Sequence, residues 1–99
     1  MTAIGRRIWA IAEGYIPPAS TGKSRELTSH ETVCILNAGE KPAQVEIMIY
    51  FSDRAPVGPY KFEVAAQRTR HLRFNDFKDP APVPTNTDFS STIIADVPI

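Results

Sequence analysis

The chain has 99 residues, of which 42% are hydrophobic and 22% are charged, a composition typical of one globular domain. Eleven basic and eleven acidic side chains cancel to a formal charge of zero, which argues against the basic field that nucleic-acid binders use. Cys34 is the only cysteine, so an internal disulfide is excluded and a reducing, cytoplasmic location is predicted. The apolar run after Arg7 is too short for a signal peptide, and no run approaches a membrane span.

Alternation of apolar and polar side chains predicts a first strand over residues 4–13, which ends before the prolines at 17 and 18. A loop rich in serine and threonine follows. Residues 29–37 are apolar on both alternations, with Cys34 and Leu36 on one side and Val33 and Ile35 on the other. Because a strand that is apolar on both faces is usually covered above and below, this stretch is predicted to be the central strand, with Cys34 buried.

The clearest alternation lies in residues 43–51, which predicts a half-buried antiparallel strand. Its core-facing side is expected to carry Val45, Ile47, Ile49 and Phe51. Further strands are predicted over residues 60–66, 68–74 and 89–97, and three prolines mark residues 75–88 as a loop. About six to eight strands without crossover helices predict an all-β fold, an antiparallel β-sandwich, with residues 1–99 forming a single domain.

Polar residues of functional type cluster at the ends of the predicted strands. Rigid strand ends and adjoining loops commonly form binding pockets. Trp9 could provide the floor of such a pocket, and carboxylate, imidazole and guanidinium groups beside an indole suit a small polar ligand such as a sugar or an organic acid. The residues concerned are Glu13, His30, Glu31, His71, Arg73 and Asp88.

Each of these residues also has a structural interpretation. Trp9 could be core packing, and His30 and Glu31 could cap the strand end or pair locally. The arginines 68, 70 and 73 could form a solvated strand face or a nucleic-acid contact. A metal site would need both histidines and a third ligand from Glu31, Glu13 or Asp88, and no H-x-H spacing is present. No nucleophile motif or phosphate loop appears, so no catalytic residues, metal or cofactor are predicted.

Five blocks of sequence, in order along almost the whole chain, closely resemble the sensory rhodopsin transducer family. The blocks are Trp9-Ala10-Ile11-Ala12-Glu13-Gly14-Tyr15-Ile16-Pro17-Pro18, Ser29-His30-Glu31-Thr32-Val33-Cys34-Ile35-Leu36-Asn37, Pro56-Val57-Gly58-Pro59-Tyr60, Arg73-Phe74-Asn75-Asp76 and Thr87-Asp88-Phe89.

The resemblance implies a soluble β-sandwich that assembles as a homotetramer, and a role in signalling without catalysis. The namesake couples to a membrane photoreceptor, whereas other relatives are regarded as small-molecule, sugar-type binding domains, and DNA binding has been proposed for the family. By resemblance, the ligand-binding positions are Trp9, Glu13, His30, Glu31, Asn37, His71 and Arg73. Family members usually continue into a further strand and tail beyond residues 97–99, and these are absent from this sequence.

The leading hypothesis is therefore a soluble signal transducer that couples a sensor or a small ligand to a downstream response. The alternative is a stand-alone small-molecule binding domain with no photoreceptor partner. A metal-dependent enzyme and a DNA-binding regulator that uses arginines 68, 70 and 73 have weaker support. The sequence does not identify the ligand, the receptor or the direction of the signal.

Overall fold

The computed structural model describes residues 4–25 and 27–99, and these form six β-strands and one short 3-10 helix. The strands are β1 (Ile8–Gly14), β2 (Thr32–Asn37), β3 (Ala43–Tyr50), β4 (Val57–Val64), β5 (Arg68–Arg73) and β6 (Phe89–Ala95), and the helix η1 (Phe74–Asp76) follows β5 directly. All strand pairs are antiparallel, and they build one sheet in the order β1-β6-β3-β4 and a second sheet from β2 and β5. The predicted all-β, antiparallel sandwich is confirmed.

Strand β3 lies inside the larger sheet, between β6 and β4, and its alternation decides which residues form the core. Val45, Ile47 and Ile49 are almost completely buried, as predicted, and each faces a buried or half-buried residue of β6 or β4. Phe51 is half-buried and packs against this core from just beyond the strand. The sequence pattern therefore gave the correct register for β3.

The prediction that residues 29–37 form the central strand is wrong. Strand β2 belongs to the two-stranded sheet, and within the described residues it pairs only with β5. Its inward side is buried at Ile35, whereas on its outward side Leu36 is 56% exposed and Cys34 is also exposed. The prediction that Cys34 is buried is wrong for the same reason, since apolar character on both alternations does not show that both faces of a strand are covered by the rest of the chain.

Strand β1 is an edge strand whose apolar residues are exposed on both faces. Trp9 and Ile11 lie beside the buried residues Ile93 and Ser91 of β6, so they face the interior of the sandwich. They nevertheless remain 41% and 40% exposed, because the backbone of the β2–β5 sheet comes closest to β4, at the opposite edge. The smaller sheet therefore leaves β1 without a covering layer.

Aromatic side chains close the space between the two sheets near η1. Phe77 packs against Tyr60, Phe62 and Phe74 with ring centroids 4.9 Å away in each case. Phe74 in turn contacts Phe89, with centroids 5.0 Å apart in an edge-on arrangement. Such offset geometries add to the stabilisation from burying the rings.

The burial pattern of β3 predicts that two substitutions in this strand lower the free energy of unfolding by very different amounts. Ile47→Ala removes a fully buried side chain and should lower the free energy of unfolding by about 2–5 kcal/mol, through lost transfer energy and a residual cavity. Gln44→Ala removes an exposed side chain and its hydrogen bond to Glu63, and should cost less than about 1 kcal/mol. Equal costs in urea denaturation would contradict the assigned core face.

Candidate functional site

An apolar groove of about 350 Å³ lies between β1 and β2, where the smaller sheet leaves the larger one uncovered. Exposed apolar patches that lie together in this way mark interaction surfaces. Its walls are formed mainly by branched aliphatic side chains and one indole, including Trp9, Ile11, Val33, Leu36, Ile93 and Ile99. The groove therefore suits an apolar partner better than a sugar, which needs hydrogen-bonding groups along its walls.

Trp9 is held in this groove by two hydrogen bonds. Its Nε1–H donates to the carbonyl oxygens of Arg6, at 3.2 Å, and Ile99, at 3.1 Å. Residues 6 and 99 also pair through their backbones, with Ile99 N–H donating to Arg6 O at 2.9 Å. Because the only polar group of the indole is satisfied in this way, the ring presents apolar surface to the groove.

The structure does not bring the seven predicted binding residues together around this groove. Trp9 lines it, but the lining includes none of the other six. His71 is the cross-strand neighbour of Cys34 and lies on the outward face of the smaller sheet. Glu13 and His30 are exposed, as is Asp88, and the His30 ring donates through Nδ1 to Thr28 O at 2.9 Å. Binding of a ligand by these residues remains a prediction.

Asn37 is fully buried at the end of β2, and its side chain hydrogen-bonds to three backbone groups. Its Nδ2 donates to Lys41 O at 2.8 Å and to Val64 O at 3.0 Å, and its Oδ1 accepts from Gly39 N–H at 3.1 Å. These bonds satisfy the amide and fix the turn between β2 and β3 against the end of β4. In this structure Asn37 acts on the fold, because a buried amide that is fully bonded has little capacity left for a ligand.

Glu31 and Asn75 together hold the loop that precedes β2. The Glu31 carboxylate accepts from Tyr15 N–H and from Thr32 N–H, both at 3.2 Å. The Asn75 side chain accepts from Glu31 N–H at 3.3 Å and donates to Ser29 O at 2.9 Å. Two polar side chains thereby fasten both ends of the segment between β1 and β2 to the rest of the sandwich.

Arg73 contributes to the same attachment from the end of β5. Its Nη1 donates to Arg25 O at 3.0 Å, and the Arg25 guanidinium forms an ion pair with Asp76 at 2.8 Å. The hydrogen bond from Arg25 and its positive charge hold the pKa of Asp76 below the ordinary value, and the cations Arg73 and Lys78 add to this effect. Arg25, Asn75 and Asp76 were not predicted as functional, although residues 75 and 76 stand in one of the blocks that carry the family resemblance.

The three arginines of β5 do not share one face of the strand. Arg68 and Arg70 lie opposite Asn37 and Ile35, on the inward alternation, whereas Arg73 lies opposite Thr32 on the outward one. Arg70 donates to Glu63 O at 2.7 Å and lies over the Phe62 ring, 5.5 Å from its centroid. The three arginines therefore do not line up along one face of the strand, as a phosphate-binding surface would need.

The part of the chain that the structure describes forms neither a metal-binding cluster nor a helix that could span a membrane. Among residues 4–25 and 27–99, no three histidine, cysteine, aspartate or glutamate side chains gather closely enough to hold a metal ion. No helix in that part of the chain has the length and apolar character needed to cross a membrane.

The hydrogen bonds from Asn75 to the loop before β2 lead to a testable prediction. Their loss should increase local opening of this loop, which is measured separately from the unfolding of the whole domain. Asn75→Ala removes two hydrogen bonds to the loop, worth about 1–3 kcal/mol together, so cleavage by trypsin after Lys23 and Arg25 should accelerate roughly 5- to 150-fold. His71→Ala, an exposed change on the same side of β5 as Arg73, is the control and should leave the cleavage rate unchanged. Similar rates in both variants would show that Asn75 does not secure the loop.

Comparisons with known proteins agree with this architecture. The family model described as Anabaena sensory rhodopsin transducer matches residues 4–99. The solved structure of an Anabaena sensory rhodopsin transducer is 60% identical and superposes with a TM-score of 0.86, over 98% of this chain and 94% of that chain. Thermotoga maritima 1070 is 32% identical, with a TM-score of 0.82, over 97% of this chain and 76% of that chain. No curated protein matches significantly. The chain belongs to the Anabaena sensory rhodopsin transducer family.

Proposed function

We propose that this protein is a non-enzymatic signal transducer that couples a sensor, such as a membrane photoreceptor, to a downstream response in the cytoplasm. The observation that carries this proposal is the match over residues 4–99, with 60% identity to a solved transducer of a sensory rhodopsin. At that identity over almost the full length of both chains, the surfaces of the two proteins are expected to be similar as well as their folds.

The distribution of polar and apolar groups supports a binding role over a catalytic one. Glu31, Asn37 and Arg73 use their polar atoms to bond neighbouring backbone groups. The largest exposed side chains around the groove are apolar, and include Trp9 and Leu36. A protein that recognises another protein needs such an apolar patch, whereas general acid–base catalysis needs titratable groups that converge on one point.

The assembly that accompanies this function is a homotetramer. Each subunit of a cyclic or dihedral tetramer uses two different surface patches, and strand β1 has one on each face. The groove is the patch on the inward face. The patch on the outward face continues across β6 and β3, and consists of Ile8, Ala10, Met48, Tyr50, Thr92 and Ile94.

Light scattering should give a mass of about 44 kDa at micromolar concentration, four times the 11.0 kDa of one chain. Leu36→Glu places a charge at the rim of the groove and should lower this mass if the groove is an interface, because an unpaired charge is costly to bury. Glu40→Lys, an exposed change in the turn after β2, is the control and should leave the mass unchanged. A monomer mass for the unmodified protein would contradict the assembly.

Coupling to a photoreceptor can be tested directly with the sensory rhodopsin of Anabaena in lipid nanodiscs. We expect saturable binding by calorimetry, and we expect Trp9→Ala to weaken it if the groove is the contact surface, since interface energy concentrates in buried aromatic anchors. Absence of binding both in the dark and under illumination would contradict this partner. A rise in melting temperature with a panel of small sugars or organic acids would then favour the alternative, a stand-alone small-molecule binding domain.

A further inference from the structure

Strand β2 borders the groove with its edge and not with one of its faces. Four consecutive residues, from Val33 to Leu36, line the groove, although successive side chains of a strand point to opposite faces. In the described part of the chain β2 pairs only with β5, so the backbone along its other edge has no strand partner there. A row of unpaired donors and acceptors beside an apolar floor is the arrangement to which an extended peptide adds as a further strand.

We propose that the groove binds an extended segment of a partner protein, which adds to the smaller sheet as a third strand, antiparallel to β2. The segment has apolar side chains at two alternate positions, with an acidic residue before them and a basic residue after them. This inference rests on the proposed function and deepens it, because it names the kind of segment through which a sensor or another signalling partner contacts this chain.

Hydrogen bonds at the start of β2 show which of its residues turn their backbone groups toward the groove. Glu31 O accepts from the N–H of Phe74, which follows β5, at 2.9 Å, whereas Thr32 N–H donates to the Glu31 carboxylate at 3.2 Å. Because the direction alternates along a strand, the odd-numbered residues of β2 face β5, and Cys34 and Leu36 face the open edge. The N–H and C=O groups of these two residues, together with Thr32 O, are the pairing sites for the segment.

The side chains of the segment alternate in the same way as those of β2. A residue that exchanges hydrogen bonds with Cys34 carries its side chain on the outward face, as Cys34 does. The residues opposite Ile35 and Val33 carry theirs inward, because directly opposite residues of an antiparallel pair share a face. These two inward side chains cover Trp9 and Ile11, which are 41% and 40% exposed. Two apolar residues at these positions therefore bury surface that the two-stranded sheet leaves in water.

Charges at the two ends of the groove determine the order of charges along the segment. Strands β1 and β2 run in opposite directions along the groove, since Tyr15 N–H, just after β1, donates to the Glu31 carboxylate, just before β2. Arg7 lies at the other end, opposite the buried Ala95 and therefore on the inward side of β1, as Trp9 does. A segment antiparallel to β2 meets Arg7 with its first residue and Glu31 with its last. Electrostatic complementarity therefore favours an acidic residue first and a basic residue last.

A short peptide tests the proposal through the fluorescence of Trp9, the single tryptophan of the chain. The probe is the capped peptide Asp-Thr-Ile-Thr-Ile-Thr-Lys, designed so that its isoleucines lie opposite Ile35 and Val33. Binding should shift the emission of Trp9 to shorter wavelength and should saturate, because the exposed part of the indole becomes buried. The same peptide with proline at its fourth position lacks the N–H that pairs with Cys34 O, and should bind at least about tenfold more weakly.

Reversal of the charges tests the direction of the segment. The peptide Lys-Thr-Ile-Thr-Ile-Thr-Asp has the same composition and should bind roughly three- to thirtyfold more weakly than the first peptide. Arg7→Glu should reduce this preference to less than about twofold, because it replaces the positive end of the groove. Lys61→Glu, an exposed change on β4, is the control and should leave the preference unchanged. Equal preference in both variants would contradict the contact with Arg7, and tighter binding of the reversed peptide would overturn the antiparallel direction.

Cys34 allows the register to be measured without a new cysteine in the protein. The first peptide with cysteine at its fourth position should form a mixed disulfide with Cys34 on mild oxidation, since opposite Cα atoms of a hydrogen-bonded antiparallel pair lie about 5.5 Å apart. The peptide with cysteine at its second position is the matched control. Its cysteine lies opposite Leu36, on the same face but two residues away, and should link at least about tenfold more slowly. Cys34→Ser should abolish linking with both peptides.

The outcomes separate this inference from the function it rests on. Saturable binding with selective linking at the fourth position supports strand addition at β2. A protein that binds the rhodopsin in nanodiscs but gives no saturable change with the peptide, or no selective linking, overturns strand addition and leaves the transducer proposal standing. Trp9 emission that responds to dilution of the protein and not to the peptide would show that a second copy occupies the groove, and also overturns strand addition. Binding of the peptide without binding of the rhodopsin keeps strand addition and removes that partner, and binding of neither overturns both.

Discussion

The smaller sheet has two strands and cannot cover the whole inward face of the four-stranded sheet, and most features of this molecule depend on that mismatch. The β2–β5 sheet comes closest to β4, so Trp9 and Ile11 point between the layers and yet remain 41% and 40% exposed. Apolar surface left in water costs about 25 cal/mol for each Å² that could have been buried. The four strands of the larger sheet are therefore paired in order, but the inward face of the sheet is only partly covered, and apolar surface at β1 stays exposed.

Because the two-stranded sheet covers only part of the core, the long segment between β1 and β2 also contributes core packing. Ile16 is completely buried in the core, and its carbonyl accepts from Asn86 N–H at 2.8 Å. Glu31 holds the chain beside it by accepting from Tyr15 N–H, and Asn75 holds the other end of the segment. Glu31, which is one of the predicted binding residues, and Asn75 thus stabilise a loop that supplies core packing which a two-stranded layer cannot provide.

Local sequence patterns predicted the strands well, but they did not predict which distant segments contact each other in the fold. The alternation in β3 has one interpretation, because each side of that strand meets a single environment, and its buried face was predicted correctly. Strand β2 is also apolar on both sides, but its outward side is exposed, and periodicity does not distinguish a buried apolar face from an exposed one. The bonds of Asn37 to Lys41 and Val64 and the ion pair between Arg25 and Asp76 join residues whose proximity depends on the complete fold. No spacing in the sequence predicts them.

The groove beside β1 is the surface where a partner would gain most by binding. Trp9 and Ile11 point between the sheets and remain 41% and 40% exposed, and the Trp9 Nε1–H already donates to Arg6 O and Ile99 O. A partner that covers the groove would therefore bury apolar surface without leaving the indole N–H unpaired. If the same groove also served as a contact between copies of this chain, the partner and the second copy would compete for it, and the apparent affinity for the partner would fall as the chain concentration rises.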